Sequence, residues 1–186
     1  VIDKDQKFKI PDVGIQRNQD NFLIRSLAKT GPTLAQKFEA VSAVGSFTNS
    51  TVMYFMDEKD VFAGNPSSFA ICFTAQAPFA IGDKVSLILP DFTKSDTYRS
   101  KRDEYVESVW FSANNSLEMT IHVRLDAKQK ICHTSDGLSV PLQGIRSYDR
   151  GIKIATDSVE GPVRPISVFR VPRVGALESS RLFFDR

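Results

Sequence analysis

The sequence has no long apolar run and no marked excess of charge of either sign. No stretch of 18 or more consecutive apolar residues occurs in its 186 residues, so we expect no membrane-spanning helix. Lys and Arg together number 24 and Asp and Glu number 22, which leaves a formal net charge of +2. A nucleic-acid-binding domain usually carries a clustered basic excess. We therefore expect neither a membrane span nor a nucleic-acid partner.

A secretion signal is also missing from the start of the sequence. Residues 1–5 include three charged side chains, and no apolar segment of the kind found in signal peptides follows them. The chain begins on Val1 rather than on Met, which indicates an internal segment of a longer protein. We expect any secretion signal to lie outside this segment.

Cysteine is scarce, with only Cys72 and Cys132, and both lie in apolar, strand-like runs. In one interpretation they form a disulfide between two strands, as is common outside the cytosol. In the other they are buried free thiols that behave as small apolar side chains. Their spacing of sixty residues is compatible with a bridge between two sheets, against which Trp110 could pack.

Histidine is equally scarce, and no catalytic motif accompanies it. His122 lies on the polar side of an alternating segment, and His133 follows Cys132, from which it points to the opposite face of a strand. No nucleophile elbow, phosphate-binding loop or dinucleotide-binding pattern is present. Residues 57–60 carry three carboxylates and a lysine but lack the spacing of a calcium loop. We expect no catalytic residue, no metal site, no cofactor and no enzymatic activity.

An internal repeat is the strongest signal in the sequence. A gap-free comparison of each residue with the one 130 positions later gives ten identities over 56 pairs. The identities fall mainly on glycine, proline and aliphatic residues, which determine backbone angles and core contacts. We predict that residues 1–45 are the C-terminal part of one module, 46–175 a complete module and 176–186 the start of a third. The identical pairs are Pro11 and Pro141, Gly14 and Gly144, Ile15 and Ile145, Ile24 and Ile154, Gly31 and Gly161, Pro32 and Pro162, Val41 and Val171, Val44 and Val174, Gly45 and Gly175, and Ser50 and Ser180.

Short alternating segments predict the fold of the complete module. Residues 117–125 alternate between apolar and polar side chains, the pattern of a strand with one buried face. Turn signals such as Asp136-Gly137 separate the segments, and only 143–150 suggests a short helix. Many short strands at this spacing predict an all-β fold of immunoglobulin-like β-sandwich modules in tandem, about 130 residues per repeat. The other predicted strands are 52–55, 68–74, 84–89, 109–111, 138–142, 152–155 and 166–171.

Two surface features accompany this fold. N-glycosylation sequons begin at Asn49 and Asn114, both in stretches that we expect to be exposed, as a glycan requires. The segment Thr93–Glu107 carries four basic and four acidic residues. It is either a solvated loop or a loop that contacts a neighbouring chain.

Several segments resemble the tandem β-sandwich repeats of very large secreted or cell-surface proteins of algae and other protists. The resemblance covers the complete module and both flanks, and the sequence departs from it at Thr93–Glu107. The motifs are turn and core patterns, so they bear on the fold more than on an activity. The segments that carry the resemblance are 44–47, 69–73, 81–92, 116–121, 151–157, 160–163 and 174–175.

The resemblance implies a structural or adhesive extracellular module in a surface or filamentous assembly such as a cell coat, wall or flagellar appendage. Its expected partners are neighbouring repeats of the same chain, other copies or subunits of the assembly, and glycans. The alternative is a carbohydrate- or ligand-binding β-sandwich, which needs exposed aromatic rings. The candidates are Tyr98, Tyr105 and Trp110, although Tyr105 and Trp110 fit loop and core positions better. We also expect residues 1–45 to leave strand edges unpaired.

Overall fold

The computed structural model describes residues 10–11, 13–48, 51–56 and 61–175. Over these ranges the chain forms twelve β-strands and no helix. The described part is therefore all-β, as the sequence predicts. The strands, β1 to β12 in chain order, are Leu23–Ile24, Gln36–Lys37, Val52–Phe55, Pro66–Thr74, Lys84–Ile88, Thr93–Lys94, Lys101–Arg102, Val106–Phe111, Ser116–Ile121, Lys130–Ser139, Lys153–Thr156 and Val163–Ser167.

The strands belong to three sheets, and every named strand pair is antiparallel. β1 and β2 form a sheet of their own. A four-stranded sheet has the order β3-β4-β10-β6, and a six-stranded sheet has the order β12-β11-β5-β9-β8-β7. Side chains of the two larger sheets join in one hydrophobic core, an arrangement consistent with a β-sandwich.

Strand β9 shows how the sequence pattern produces this core. Leu117, Met119 and Ile121 are fully buried, and Glu118 and Thr120 between them are half-buried. Successive side chains of a strand point to opposite faces, so this alternation places one face of the sheet in the core. The strand ends at Ile121, earlier than the alternation to residue 125 predicts.

Phenylalanine rings fill much of the space between the sheets. Phe73 contacts Phe47 and Phe79 edge to face, with ring centroids 5.8 and 6.3 Å away. Phe69 makes the same kind of contact with Phe55 and Phe92, at 6.3 and 6.2 Å. Edge-to-face pairs contribute roughly 0.5–1.5 kcal/mol each beyond the apolar area they bury.

The helix predicted over 143–150 is wrong. Gly144 has a φ of 74° and Tyr148 a φ of 57°, and these left-handed angles are incompatible with a right-handed α-helix. The segment turns instead, and its backbone hydrogen bonds go to Pro141, Val171 and Val174.

The turn predicted at Asp136-Gly137 is not a chain reversal. Both residues lie inside β10, where the register against β4 shifts between Ser135 and Leu138. Gly137 supplies a φ of 78° there, which is typical of the glycine in a β-bulge. The sequence predicted a turn here, but the chain uses the left-handed angle of Gly137 to bend a strand.

A disulfide joins Cys72 to Cys132. The two cysteines are direct register partners on β4 and β10, which are neighbours in the four-stranded sheet. The bond therefore connects two strands, as one interpretation of the sequence predicts, but it lies within one sheet rather than between two. Trp110 belongs to β8 of the other sheet.

The charged segment Thr93–Glu107 lies partly in the sheets. It contains β6, which pairs with β10, and β7, which pairs with β8. The segment is therefore not a solvated loop over its whole length. None of the described residues belongs to a helix long and apolar enough to cross a membrane.

Candidate functional site

The segment at 10–45 and the segment 130 residues later share their turn geometry. Gly14 donates its N–H to the carbonyl of Pro11 at 2.8 Å, and Gly144 donates to Pro141 at 2.8 Å. The φ angles of the two glycines are 77° and 74°. Asn18 and Tyr148 follow each turn with φ angles of 53° and 57°. Such left-handed angles are uncommon outside glycine, so this match is specific.

Strand pairing has the same offset. In the first segment Leu23 pairs with Lys37 and Ile24 with Gln36. In the second, β11 and β12 pair Lys153 with Ser167 and Ile154 with Ile166. Each of these residues lies 130 positions after its counterpart. The bridge between Ile15 and Val44 has a counterpart in the bridge between Ile145 and Val174.

A side-chain hydrogen bond also has a counterpart. The hydroxyl of Ser26 accepts the N–H of Ala28 at 3.2 Å, and the hydroxyl of Thr156 accepts the N–H of Ser158 at 3.1 Å. This is a local turn that serine and threonine both support. The sequence comparison counts Ser26 and Thr156 as a mismatch, but the two residues have the same structural role.

The two segments meet at Val44 and Gly45 without an intervening linker. Val44 exchanges backbone hydrogen bonds with Ile15, at 2.8 and 2.9 Å. The next residue, Gly45, donates its N–H to the carbonyl of Pro162 at 3.1 Å. Two consecutive residues of the first segment are therefore bonded to different parts of the chain, Val44 to Ile15 and Gly45 to the residue just before β12. An open cleft at this junction, about 1000 Å³ in volume, is lined by Ile10, Pro11, Val44, Phe47, Pro162 and Ile166, among others.

A second feature is a set of three hydrogen-bonded polar side chains, of which His133 and Ser108 are buried and Asp103 is partly exposed. His133 Nδ1 lies 2.5 Å from Asp103 Oδ2, and His133 Nε2 lies 2.7 Å from Ser108 Oγ. His133 is on β10 of the four-stranded sheet and Ser108 is on β8 of the six-stranded sheet. These hydrogen bonds therefore link the two sheets through side chains. Asp103 attaches the charged segment to His133.

The residue types match a hydrolase triad, but the geometry does not provide an accessible nucleophile. Ser108 is 1% exposed and His133 is fully buried. The Ser108 hydroxyl also donates to the carbonyl of Lys101 at 3.3 Å. A nucleophile has to reach the substrate, and this hydroxyl faces the core. The arrangement satisfies buried polar groups, as buried side chains require.

Asp103 is held in its ionised form by several donors. Burial by itself raises the pKa of this carboxyl group, but hydrogen bonds from His133 and from the N–H groups of Tyr105 and Val106 outweigh burial and lower the pKa below its ordinary value. Both N–H groups donate to Asp103 Oδ1, at 2.9 and 2.8 Å. A carboxylate that accepts several such bonds is stabilised in the charged form.

A surface ion pair supports the same region. Lys101 Nζ lies 2.9 Å from Asp136 Oδ2, joining β7 to β10. The hydrogen bond from Lys101 lowers the pKa of the Asp136 carboxyl group. Because both side chains are well exposed, the pair contributes little to stability by itself. The pair joins the charged segment to β10, the strand that also carries His133.

The structure places the predicted aromatic residues mainly inside the protein. Tyr98 and Trp110 are buried, and Tyr105 is partly buried against the core. Trp110 Nε1 has no hydrogen-bond partner among the described residues. Tyr98 and Trp110 therefore present no exposed face on which a sugar could stack.

The sequon at Asn114 lies in the turn between β8 and β9, and Asn114 is exposed. Its Oδ1 accepts a hydrogen bond from Ser116 Oγ at 2.8 Å. Asn49, the other predicted glycosylation site, and the carboxylates at 57–60 lie outside the described residues. Within the described ranges no three His, Cys, Asp or Glu residues are grouped so as to hold a metal ion.

Sequence reasoning missed the link between Asp103, Ser108 and His133. It assigned His133 no role because its sequence neighbour Cys132 points to the opposite face, and this is correct for these two residues. The partners of His133 are 25 and 30 residues away in sequence. No local pattern indicates such a contact.

No protein-family model matches this chain, and a search of curated proteins finds no relative.

Proposed function

We propose that the chain is a structural or adhesive extracellular segment of a tandem array of immunoglobulin-like β-sandwich modules. In this proposal residues 1–45 end one module, 46–175 form the next, and 176–186 begin a third. The observation that carries the proposal is the shared geometry at an offset of 130 residues, in turns, bridges and strand register.

The junction supports a load-bearing role for the array. Val44 and Gly45 are consecutive, and each is hydrogen-bonded to a different module of the proposed array. Modules joined without a linker have little freedom to rotate against each other, in contrast to modules joined by a flexible linker. An array of this kind is a rigid spacer, which suits a cell coat, wall or appendage.

The disulfide fits a location outside the cytosol, where such bonds persist. The carbohydrate-binding alternative has less support, because Tyr98 and Trp110 are buried. The Asp103–His133–Ser108 link belongs to this proposal as a clamp between sheets. The burial of Ser108 gives no support to a hydrolytic role.

Immunogold electron microscopy of the source organism tests the proposal. An antibody raised against the purified chain should label the coat, wall or appendages of intact, unpermeabilised cells. Antibody preabsorbed with the chain serves as the control. Labelling that appears only after permeabilisation, in the cytosol, would contradict the proposal.

A further inference from the structure

Residues 10–45 present core-type side chains that no other described segment covers. Ile10, Ile24 and Phe38 are 50%, 58% and 50% exposed. Their counterparts 130 positions later, Val140, Ile154 and Val168, are only 2%, 0% and 3% exposed. The same positions of the same local fold are therefore buried in one segment and open in the other.

The complete module shows what covers these positions. β11 has β12 on one edge and β5 on the other, where Ile154 pairs with Leu87 and Thr156 with Val85. The Thr156 hydroxyl donates to the carbonyl of Lys84 at 2.8 Å. In β5 the inward side chains Val85 and Leu87 are fully buried.

The first segment keeps the features that β5 contacts. Among the described strands β1 pairs with β2 alone, so its other edge offers backbone groups that no described strand pairs. Ser26 occupies the position of Thr156 and retains a hydroxyl group. Ile24 occupies the position of Ile154 with an identical side chain. The edge is therefore suited to an antiparallel strand with the alternating aliphatic pattern of Lys84–Ile88.

We infer that residues 10–45 form one half of a β-sandwich. The other half is the earlier part of the same module of the proposed array, a segment with the pattern of 46–130. The β5-like strand of that segment pairs with β1, and its sheet covers Ile10, Ile24 and Phe38. This inference rests on the proposed repeat but not on its surface location. It names the occupant of this face and its register.

An extended chain provides the test. A second copy of residues 46–130 is joined directly before Val1, because residue 131 corresponds to residue 1 in the repeat. In the complete module Cys72 is bonded to Cys132 and Asp103 is hydrogen-bonded to His133. Ile2→Cys and Asp3→His supply the same two partners to the added copy. Hydrogen–deuterium exchange then reports on residues 22–38.

Exchange of these amides should be at least about tenfold slower in the extended chain than in the original chain. The reason is that the hydrogen bonds between buried, paired strands open rarely. Ile24→Asp should abolish that protection in the extended chain and leave the original chain unchanged. Leu34→Asp is the matched control, since Leu34 is 87% exposed and its counterpart Arg164 is exposed too. Unchanged exchange in the extended chain would overturn the inference.

Disulfide trapping tests the register even where folding is incomplete. Ser86 pairs with Ala155, whose counterpart in the first segment is Arg25. Arg25→Cys should form a disulfide with Ser86→Cys in the added copy and not with Ser95→Cys there. Absence of the first bond overturns the inference.

The oligomeric state of the original chain tests whether a second copy of the whole chain covers this face instead of the 46–130-like segment. A monomer in light scattering agrees with the inference. A dimer that Ile24→Asp converts to a monomer would show that a second copy of the chain covers this face, and the inference would be wrong. Neither result alters the immunogold test, so failure of this inference and failure of the proposed function are distinguishable.

Discussion

Gly45 and Gly161 pack backbone against backbone, so that a Cβ atom added at Gly45 would collide with the carbonyl oxygen of Gly161. A Cβ added at Gly161 would lie 2.5 Å from Ala77 Cβ and 3.1 Å from Gly45 Cα. The contact places the last residue of the first proposed module against the C-terminal part of the next module. Glycine is needed here for close approach of two backbones, not for an unusual φ angle.

We predict that Gly161→Ala destabilises the chain by about 1–3 kcal/mol, the usual cost of overpacking a close contact. Gly31→Ala is the matched control, because Gly31 corresponds to Gly161 in the repeat and has open space around its Cα. It should change the stability by less than about 0.5 kcal/mol. Urea unfolding followed by tryptophan fluorescence measures both. Equal effects of the two substitutions would contradict the proposed role of the contact.

The second prediction concerns Asp103 and acid. The folded pKa of this carboxyl group lies below its ordinary value, so its ionised form stabilises the fold at any pH above the ordinary value of about 3.9. That contribution is lost as the pH falls from there through the folded pKa. Asp103→Asn should cost about 1–3 kcal/mol at pH 6, because His133 loses a charged partner.

The stability of the Asp103→Asn variant and that of the unsubstituted chain should converge as the pH falls toward 2. Urea titrations between pH 6 and pH 2 measure this difference. Asp126→Asn, at an exposed aspartate, is the control and should parallel the unsubstituted chain. A constant difference at every pH would mean that Asp103 acts through its shape rather than its charge.

The third prediction concerns the disulfide. Its loop of sixty residues corresponds to a chain-entropy contribution of about 4 kcal/mol in the unfolded state. Reduction, or the double substitution Cys72→Ala and Cys132→Ala, should lower the free energy of unfolding by up to that amount. The double variant is also the control, since a reductant should leave it unaffected. A reductant that fails to shift the urea midpoint of the unsubstituted chain would refute this prediction.

The fourth prediction concerns Tyr148, which holds a left-handed backbone angle at an exposed position. The corresponding residue in the first segment is Asn18, whose Oδ1 also accepts the N–H of Val41 at 3.2 Å. Tyr148→Asn should stabilise the chain by about 1 kcal/mol, because asparagine tolerates this angle better than a bulky side chain. Tyr148→Phe keeps the bulk and should be neutral. A thermal melt that ranks the two variants the other way would contradict the assignment.

The fifth prediction concerns Asn114. Secreted from a eukaryotic host, the chain should carry a glycan at this exposed turn, visible as a mobility shift that glycosidase removes. Asn114→Gln should abolish one step of the shift, and Asn49→Gln a second. Asn65→Gln is the control, because Pro66 blocks that sequon. Persistence of the full shift in Asn114→Gln would show that the site is not used.

Much of the fold could be predicted because it depends on local patterns. The alternation of Leu117, Met119 and Ile121 predicts a strand with one buried face, and the described part of the chain is all-β. Predictions of strand ends and turns were less accurate. Leu125 continues the alternation, yet it forms an isolated bridge with Phe79, because pairing partners rather than periodicity determine where a strand ends.

The sequence by itself determined most of the longer strand-forming segments, the place of both cysteines in strands and the spacing of 130 residues between related glycines and prolines. These features are local or periodic, since backbone angles and face alternation are encoded residue by residue. Tertiary structure alone decided that Cys72 and Cys132 are neighbours within one sheet, that Tyr98 and Trp110 are buried, and that Asp103, Ser108 and His133 meet. Such contacts depend on the order of strands in the sheets and on how the sheets pack, which no segment of the sequence specifies separately.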